Sequence, residues 1–359
     1  MRREKNQYIF ASEVGRRQRS HHLRNAILLI LPLLIVSLLV ANFMVSRRIT
    51  VQEIRLTILN LPQDLEGYSI LHLSDLHGAR YGENQKAVET ALKNMRYSCV
   101  VMTGDMLGED GDTAPLLELN ALLAGDVPKY LIPGDTDESP VNSGAHGSLS
   151  VYANWVQEIQ AAGITLLESP TLVTREKGRI WFVPEESYAL DIDRMQGVYE
   201  RQRKELQDRA TSLTADDAAK IRALEHEISL LEQLRQTRKE FQATDIQVVL
   251  THMPMTEEFV SDLISWTGKE DYFSIRYAGL ILAGHYNGGQ WRIPFVGAIR
   301  VPELGWFPPD DQVQGLSYPA GIPQYISPGL GSDPHYENQP GRLFNPPTIT
   351  RIVLTSKAH

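Results

Sequence analysis

The 359-residue chain is 42% hydrophobic and carries 44 acidic against 35 basic side chains, a formal net charge of −9, which allows a proper core in one large domain or two. Residues 1–48 hold nine of the basic and two of the acidic residues, so the remainder has 26 against 42, an acidic balance that argues against a nucleic-acid partner. A small phosphorylated substrate is not excluded, whereas the single Cys99 excludes an internal disulfide.

From Ala26 to Val45 the chain is almost unbroken aliphatic, interrupted by Pro32, Ser37 and Asn42. Twenty residues at about 1.5 Å each span roughly 30 Å, the thickness of a bilayer core. Residues 26–46 therefore read as an uncleaved transmembrane signal anchor rather than a buried soluble helix. Arg2, Arg3, Lys5, Arg16, Arg17, Arg19 and Arg24 precede the span, and Arg47 and Arg48 follow it. The excess of cations before it makes residues 1–25 a cytoplasmic basic tail and predicts a single-pass cell-membrane protein with an extracytoplasmic main domain.

Val51–Ile58 partly alternates and reads as a first strand. The apolar run Tyr68–Leu73 follows and gives out into Ser74-Asp75-Leu76-His77. Glu83–Met95 has helical spacing, Cys99–Thr103 runs into Gly104-Asp105, Thr113–Ala124 reads as a second helix, and Tyr130–Ile132 runs into Pro133-Gly134-Asp135. Val151–Ala162 reads as a third helix; Ile164–Leu167 and Arg179–Val183 read as strands of a second sheet. Residues 191–243 then break the pattern as a charged insertion of helix formers, with one helix over Ile192–Asp208 and another from Ala215, where Thr214 and Asp217 resemble a capping box. This helical hairpin suits a surface embellishment, a homodimerisation arm, or a lid or lipid-side wall near the site, and the alternatives stay open. Residues 47–190 and 244–359 make up the main domain on either side of it. Ile246–Thr251 ends at His252, and Leu280–Ala283 ends at Gly284-His285-Tyr286-Asn287.

Five apolar runs thus end in Asp, His or Asn. Strand ends gather on one edge in α/β proteins, and such donors gathered there point to a metal site. His72, three residues before Asp75, falls on the opposite strand face and reads as a core histidine. Arg80 and Tyr81 follow the first motif closely enough to touch a phosphate, with a solvated loop as the alternative; His335 and Tyr336 lie in a late Pro/Gly-rich loop.

SDLH, GD, His252-Met253-Pro254 and GHYNGGQ, in that order, resemble the calcineurin-like metallophosphoesterases, and most of all a membrane-associated bacterial branch. There the last motif reads G-H-T-H-G-G-Q and precedes an R-x-P-F-x-G-A stretch; Arg292-Ile293-Pro294-Phe295-Val296-Gly297-Ala298 is similar, as is the tail from Tyr325 to Gly331 and from Pro346 to Thr350. The resemblance covers roughly residues 50–189 and 245–356 and implies a four-layer α/β/β/α sandwich, here with the inserted helical hairpin and the N-terminal transmembrane helix. It further implies Asp75 and His77 on a first metal, Asp105 as bridge, and Asp135, His252 and His285 on a second, with a metal-bridging hydroxide as nucleophile. Two divalent ions are expected, Mn²⁺ first, with Fe or Zn²⁺ as alternatives.

Two motifs depart from the family. G-N-H-[DE] is Gly134-Asp135-Thr136-Asp137, so a carboxylate replaces an Asn ligand and Thr136 stands where a His contacts the phosphate and protonates the leaving group. A hydroxyl hydrogen-bonds phosphate but is a poor general acid. In G-H-x-H, Asn287 replaces the second His and offers an amide oxygen, a weaker ligand. Asp105, Thr136 and His252 are the expected catalytic positions; Arg80, Thr136 and His146 are the candidate substrate contacts. The sequence reads as a membrane-anchored phosphohydrolase of the bacterial cell envelope. Its substrate would be a small or lipid-linked phosphoester or pyrophosphate. The alternative is a catalytically impaired binding or assembly factor.

Overall fold

The computed structural model describes residues 9–142, 144, 150–208, 214–268, 271–334 and 341–357. His146, His335 and Tyr336 lie outside them. Residues 1–47 and 48–359 form two separate compact units. The first contains one helix, α1 (Ile9–Arg47), whose stretch Ile27–Arg47 has a mean hydropathy of 2.7 and is long and apolar enough to cross a membrane.

The second unit opens with β1 (Thr50–Thr57) and β2 (Ser69–Leu73), then α2 (Lys86–Leu92), β3 (Cys99–Thr103), α3 (Ala114–Asn120), β4 (Lys129–Ile132), α4 (Asn154–Ala161) and β5 (Thr165–Leu166). It continues through β6 (Thr171–Arg175), β7 (Gly178–Pro184), the short α5 (Glu186–Ala189), α6 (Ile192–Asp208), α7 (Ala215–Thr237), β8 (Ile246–Leu250), α8 (Glu257–Trp266) and β9 (Ala278–Ala283). Four two-residue strands follow, β10 (Arg292–Ile293), β11 (Gly297–Ala298), β12 (Arg300–Val301) and β13 (Gly305–Trp306), and then β14 (Gly315–Ser317), β15 (Gln324–Ile326) and β16 (Thr348–Thr355). Twelve strands form two six-stranded sheets, ordered β1-β16-β2-β3-β4-β5 and β14-β15-β9-β8-β7-β6, and β10-β11 and β12-β13 pair separately.

Strand alternation builds the layers. Ile70, Val101 and Tyr130 of the first sheet meet Phe182, Val248 and Leu280 of the second in a core between the sheets. The intervening residues Leu71, Val100 and Leu131 face outward onto α2, α3 and α4, through Val88, Leu116 and Val156. On the other side Trp181, Val249 and Ile281 carry α7 and α8 through Leu231, Leu234, Val260 and Leu263. The result is the expected four-layer α/β/β/α sandwich.

One strand sits elsewhere than expected. Ile164–Leu167 supplies β5, which pairs parallel with β4 (Tyr130↔Thr165) and so extends the first sheet, not the second. The reason is the crossover: α4 packs on the outer face of the first sheet, and Ile164 and Leu166 share a cluster with its Trp155 and Ile159. The second sheet begins at β6. The helix read over Glu83–Met95 is shorter too, because Asn84 and Gln85 take left-handed φ values of 50° and 57° and Asn94 one of 65°.

The insertion is a pair of helices, and the capping box is present: Asp217 N–H donates to Thr214 Oγ1 at 3.1 Å and Thr214 N–H to Asp217 Oδ2 at 3.1 Å. Along α7, His226 Nε2 lies 2.9 Å from Glu168 Oε1, while the Tyr152 hydroxyl donates to Glu168 Oε2 at 2.6 Å and the Tyr152 ring meets the imidazole edge-on. Glu168, with Glu227 nearby, raises the His226 pKa above its ordinary value. A raised folded-state pKa stabilises while the imidazole is charged, so the contribution is complete below about pH 6.5 and is lost as pH climbs through the folded value. The protection factors of the α7 amides, in which the intrinsic pH dependence of exchange cancels, should therefore rise on acidification from pH 9 to 6 by an amount equivalent to about 1 kcal/mol. In His226→Ala that pH dependence should vanish.

Candidate metal centre

The carboxyl ends of β2, β3 and β4 from one sheet and of β8 and β9 from the other converge on one edge. Asp75 and His77 follow β2, Asp105 follows β3, Asp135 follows β4, His252 follows β8, and His285 and Asn287 follow β9. Five of these seven residues have left-handed backbones, with φ of 51° at Asp75, 45° at His77, 53° at Asp105, 74° at His285 and 49° at Asn287. Each costs on the order of 1 kcal/mol in a residue bearing Cβ. The neighbouring loops hold them there: Asp75 N–H donates to the Gly104 carbonyl at 3.0 Å and His77 N–H to the Asp105 carbonyl at 2.9 Å.

Two donor groups result, and His252 belongs to both: Asp75, Asp105 and His252 in one, Asp135, His252 and His285 in the other, with the donor atoms of each group within 4.8 Å of one another. Asp105 Oδ1 accepts from Thr136 N–H at 2.9 Å, while its Oδ2 lies 3.3 Å from His252 Nε2 and 3.6 Å from His77 Nε2. His252 Nδ1–H donates to the Thr103 carbonyl at 2.8 Å, which turns Nε2 inward. That Nε2 is 2.5 Å from Asp135 Oδ1, and His285 Nδ1 is 3.3 Å from the same oxygen. Asn287 is fully buried, its Nδ2 3.3 Å from His77 Nε2.

The charges are tightly balanced. Burial pushes the Asp75 carboxyl up. Burial acts the same way on Asp105 but is outweighed by the His252 hydrogen bond and the two imidazoles, which hold it low. Hydrogen bonds from His252 and His285 keep Asp135 well below the usual carboxylate range. His252 is desolvated, yet Asp105 and Asp135 raise it to about 11.

These residues fit divalent cations. Asp75 Oδ2 and the Asn287 side-chain oxygen are buried and have no hydrogen-bond partner among the described residues, and a buried acceptor left unpaired is costly. Gly329 brings them together, since a Cβ there would lie 3.2 Å from Asp75 Oδ2 and 3.3 Å from the Asn287 oxygen. Mixed carboxylate, imidazole and amide donors suit Mn²⁺, Fe or Zn²⁺.

Of the expected substrate contacts, Thr136 is at the centre through its backbone. Arg80, half-exposed, donates through Nε to Glu118 Oε1 and Oε2 of α3 at 3.0 and 3.1 Å. The Tyr81 hydroxyl donates to the Leu330 carbonyl. His72 is a core residue, bonded through Nε2 to Thr103 Oγ1 at 2.8 Å, and burial lowers its pKa to about 3.

Several contributors have a role that the sequence does not reveal, although Asp137 fills the [DE] position of the altered motif. Asp137 ties the β3 and β4 loops together, accepting from Gly134 N–H and Leu107 N–H at 2.9 Å each. Arg342 is buried and donates to the carbonyls of Gly331, Pro328 and Asn287, and Asn345 Nδ2 donates to the Asn287 carbonyl at 2.7 Å. Glu303 Oε1 lies 3.6 Å from His285 Nε2. Glu185, at the end of β7, accepts from Thr251 Oγ1 at 2.8 Å and is raised by burial to about 7.

A two-sheet sandwich with this donor set at its edge defines a metal-dependent phosphoesterase scaffold. Residues 68–287 match the calcineurin-like phosphoesterase family, and the chain belongs to it. Among solved structures the chain is similar to the phosphopantetheinyl hydrolase of Mycobacterium tuberculosis (15% identity, 73% of this chain and 89% of that one, TM-score 0.36). It is also similar to a putative 5'-nucleotidase from Staphylococcus aureus (12% identity, 81% and 55%, TM-score 0.35). No curated protein matches. Membership of the family supports metal-dependent phosphoester hydrolysis in general.

Proposed function

We propose that the protein is a membrane-anchored phosphohydrolase with a binuclear centre that cleaves a phosphoester or pyrophosphate bond. The observation that carries this reading is the pair of donor groups that share His252, with Asp105 Oδ2 3.3 Å from its Nε2 and two buried oxygens unpaired beside them. Asp75, His77, Asp105 and Asn287 would hold one ion; Asp105, Asp135, His252 and His285 would hold the other. When bound, such ions neutralise phosphoryl oxygens and supply a nucleophile near neutral pH. The chain's own part is orientation. The Thr103 carbonyl fixes the His252 tautomer, Thr136 N–H fixes the Asp105 carboxylate, and Asp137 fixes the loop that carries Asp135 and Thr136.

With Thr136 in place of an imidazole, the site is suited to substrates whose leaving group departs without a proton, such as a diphosphate. Thr136→His should raise turnover of an alkyl phosphodiester by roughly 10²-fold. It should barely change hydrolysis of bis-p-nitrophenyl phosphate, and steady-state kinetics on both substrates would check this. The span Ile27–Arg47 supports anchoring, and the excess of Lys and Arg before it supports an extracytoplasmic catalytic unit in a cell envelope; α6 and α7 offer a surface for a homodimer.

The replacements at Thr136 and Asn287 favour a second reading, in which the site binds metal and ligand without turnover. Elemental analysis of the full chain in detergent, with turnover of bis-p-nitrophenyl phosphate under added Mn²⁺, separates the two. About two ions per chain with turnover is the expected result. Ions without turnover favour the binding protein, and one ion or none sinks the binuclear proposal.

A further inference from the structure

Beyond His285 the chain makes two consecutive hairpins, β10–β11 and β12–β13, joined where Ile299 N–H donates to the Trp291 carbonyl at 2.9 Å and Phe307 N–H to the Ile299 carbonyl at 3.0 Å. One side of this excursion is bolted down, with Ala298 and Val301 buried against Tyr286, Val313 and Ile326. The side chains it leaves exposed are largely apolar. Phe295 is fully exposed at the tip of the first hairpin, Val296 beside it is 62% exposed, and Trp306 and Phe307 are 69% and 57% exposed. Phe295 and Phe307 also have left-handed backbones, with φ of 67° and 50°, rare for bulky residues.

The charges and the connectivity say what meets this face. Between Arg292 and Phe307 the charged residues are Arg292, held by Asp310, Glu303, facing His285, and Arg300, whose guanidinium lies 5.8 Å from the Trp306 ring centroid. Exposed Trp and Phe with an accompanying Arg is the composition of a bilayer interface. Because β1 runs parallel to β16 and β16 antiparallel to β2, Thr50 begins β1 at the edge where β2, β3 and β4 end, which is the metal-site edge. Thr50 and Arg292 line one cavity of about 390 Å³. The apolar stretch ends at Arg47, and three residues reach at most roughly 11 Å.

We propose that the face formed by Phe295, Val296, Trp306 and Phe307 docks into the lipid headgroup layer of the bilayer that the N-terminal helix crosses. This rests on the anchored reading above. The short tether keeps the face at high effective concentration beside the bilayer. Docking would present the metal edge to phosphates on lipid headgroups, since Glu303 follows Val296 by seven residues, at most roughly 23 Å of extended chain.

The test uses the full chain reconstituted in phosphatidylcholine and phosphatidylglycerol vesicles and needs no activity. A bimane label is placed at Phe295→Cys or, as control, at Leu59→Cys, 86% exposed on the opposite edge; the native Cys99 is buried. Vesicle flotation is measured first, and then quenching by nitroxide-bearing lipid and by aqueous iodide. The expected result is co-flotation, with the 295 label quenched by lipid and about tenfold less accessible to iodide than the 59 label. Equal iodide access at the two positions overturns the proposal while leaving the anchor intact. Shielding at 295 that grows with protein density, without lipid quenching, also overturns it and assigns the face to a second copy. Failure to float overturns the anchored reading and this one together.

Discussion

Asp105→Asn should abolish turnover, by roughly 10³-fold or more, and lower metal content below one ion per chain. The carboxylate does three things at once that an amide cannot. Its Oδ1 accepts the Thr136 N–H at 2.9 Å, and its Oδ2 faces His252 at 3.3 Å and His77 at 3.6 Å. In either amide orientation one of these contacts becomes donor against donor or loses its charge. The variant should nevertheless fold, because the residue lies at the end of β3 and outside the hydrophobic clusters. Its own burial penalty also falls when the charge is removed. Elemental analysis with a thermal melt on the same sample checks both halves. A variant that keeps two ions and measurable turnover would show that Asp105 does not bridge the donor groups.

How far the site could be read in advance depends on what each residue needs. Asp75, His77, Asp105, Asp135, His252 and His285 were legible because each ends an apolar run, and a parallel strand brings such ends to a common edge. Asp137 was quoted only as the last letter of a damaged motif; its role as the clamp on Gly134 and Leu107 depends on two loops meeting 30 residues apart. Arg342, Asn345 and Glu303 sit in Gly- and Pro-rich segments without periodicity, and long-range packing alone brings them to the site. Likewise β16 enters between β1 and β2, pairings across about 300 and about 280 residues that no local pattern encodes. Ile164–Leu167 was recognisable as a strand, but its sheet was decided by where α4 packs. Arg80 illustrates the converse. Proximity in sequence to a motif suggests a phosphate contact, and the ion pair with Glu118 of α3 is a partner that local sequence does not show.

Gly134→Ala should be almost as damaging as losing a ligand, although it removes no functional atom. A Cβ at this position would lie 2.1 Å from Asp105 Oδ1 and 2.4 Å from the Asp105 backbone nitrogen, and backbone cannot swing aside like the end of a flexible side chain. The β3 and β4 loops must then part, which breaks the Thr136 N–H bond to Asp105 and carries Asp135 away from His252. In a close-packed protein such a shift is transmitted rather than absorbed. Displacement of about 1 Å at a reacting centre is worth roughly 10² in rate, and overpacking of this kind destabilises by about 1–3 kcal/mol. Gly125→Ala is the control, since a Cβ there meets nothing within 4 Å. Turnover, metal content and melting temperature of the two variants, compared side by side, should show a large loss in the first and almost none in the second. A Gly134→Ala protein within threefold of the parent in rate would mean that the two loops do not approach as closely as the Asp105 contacts require.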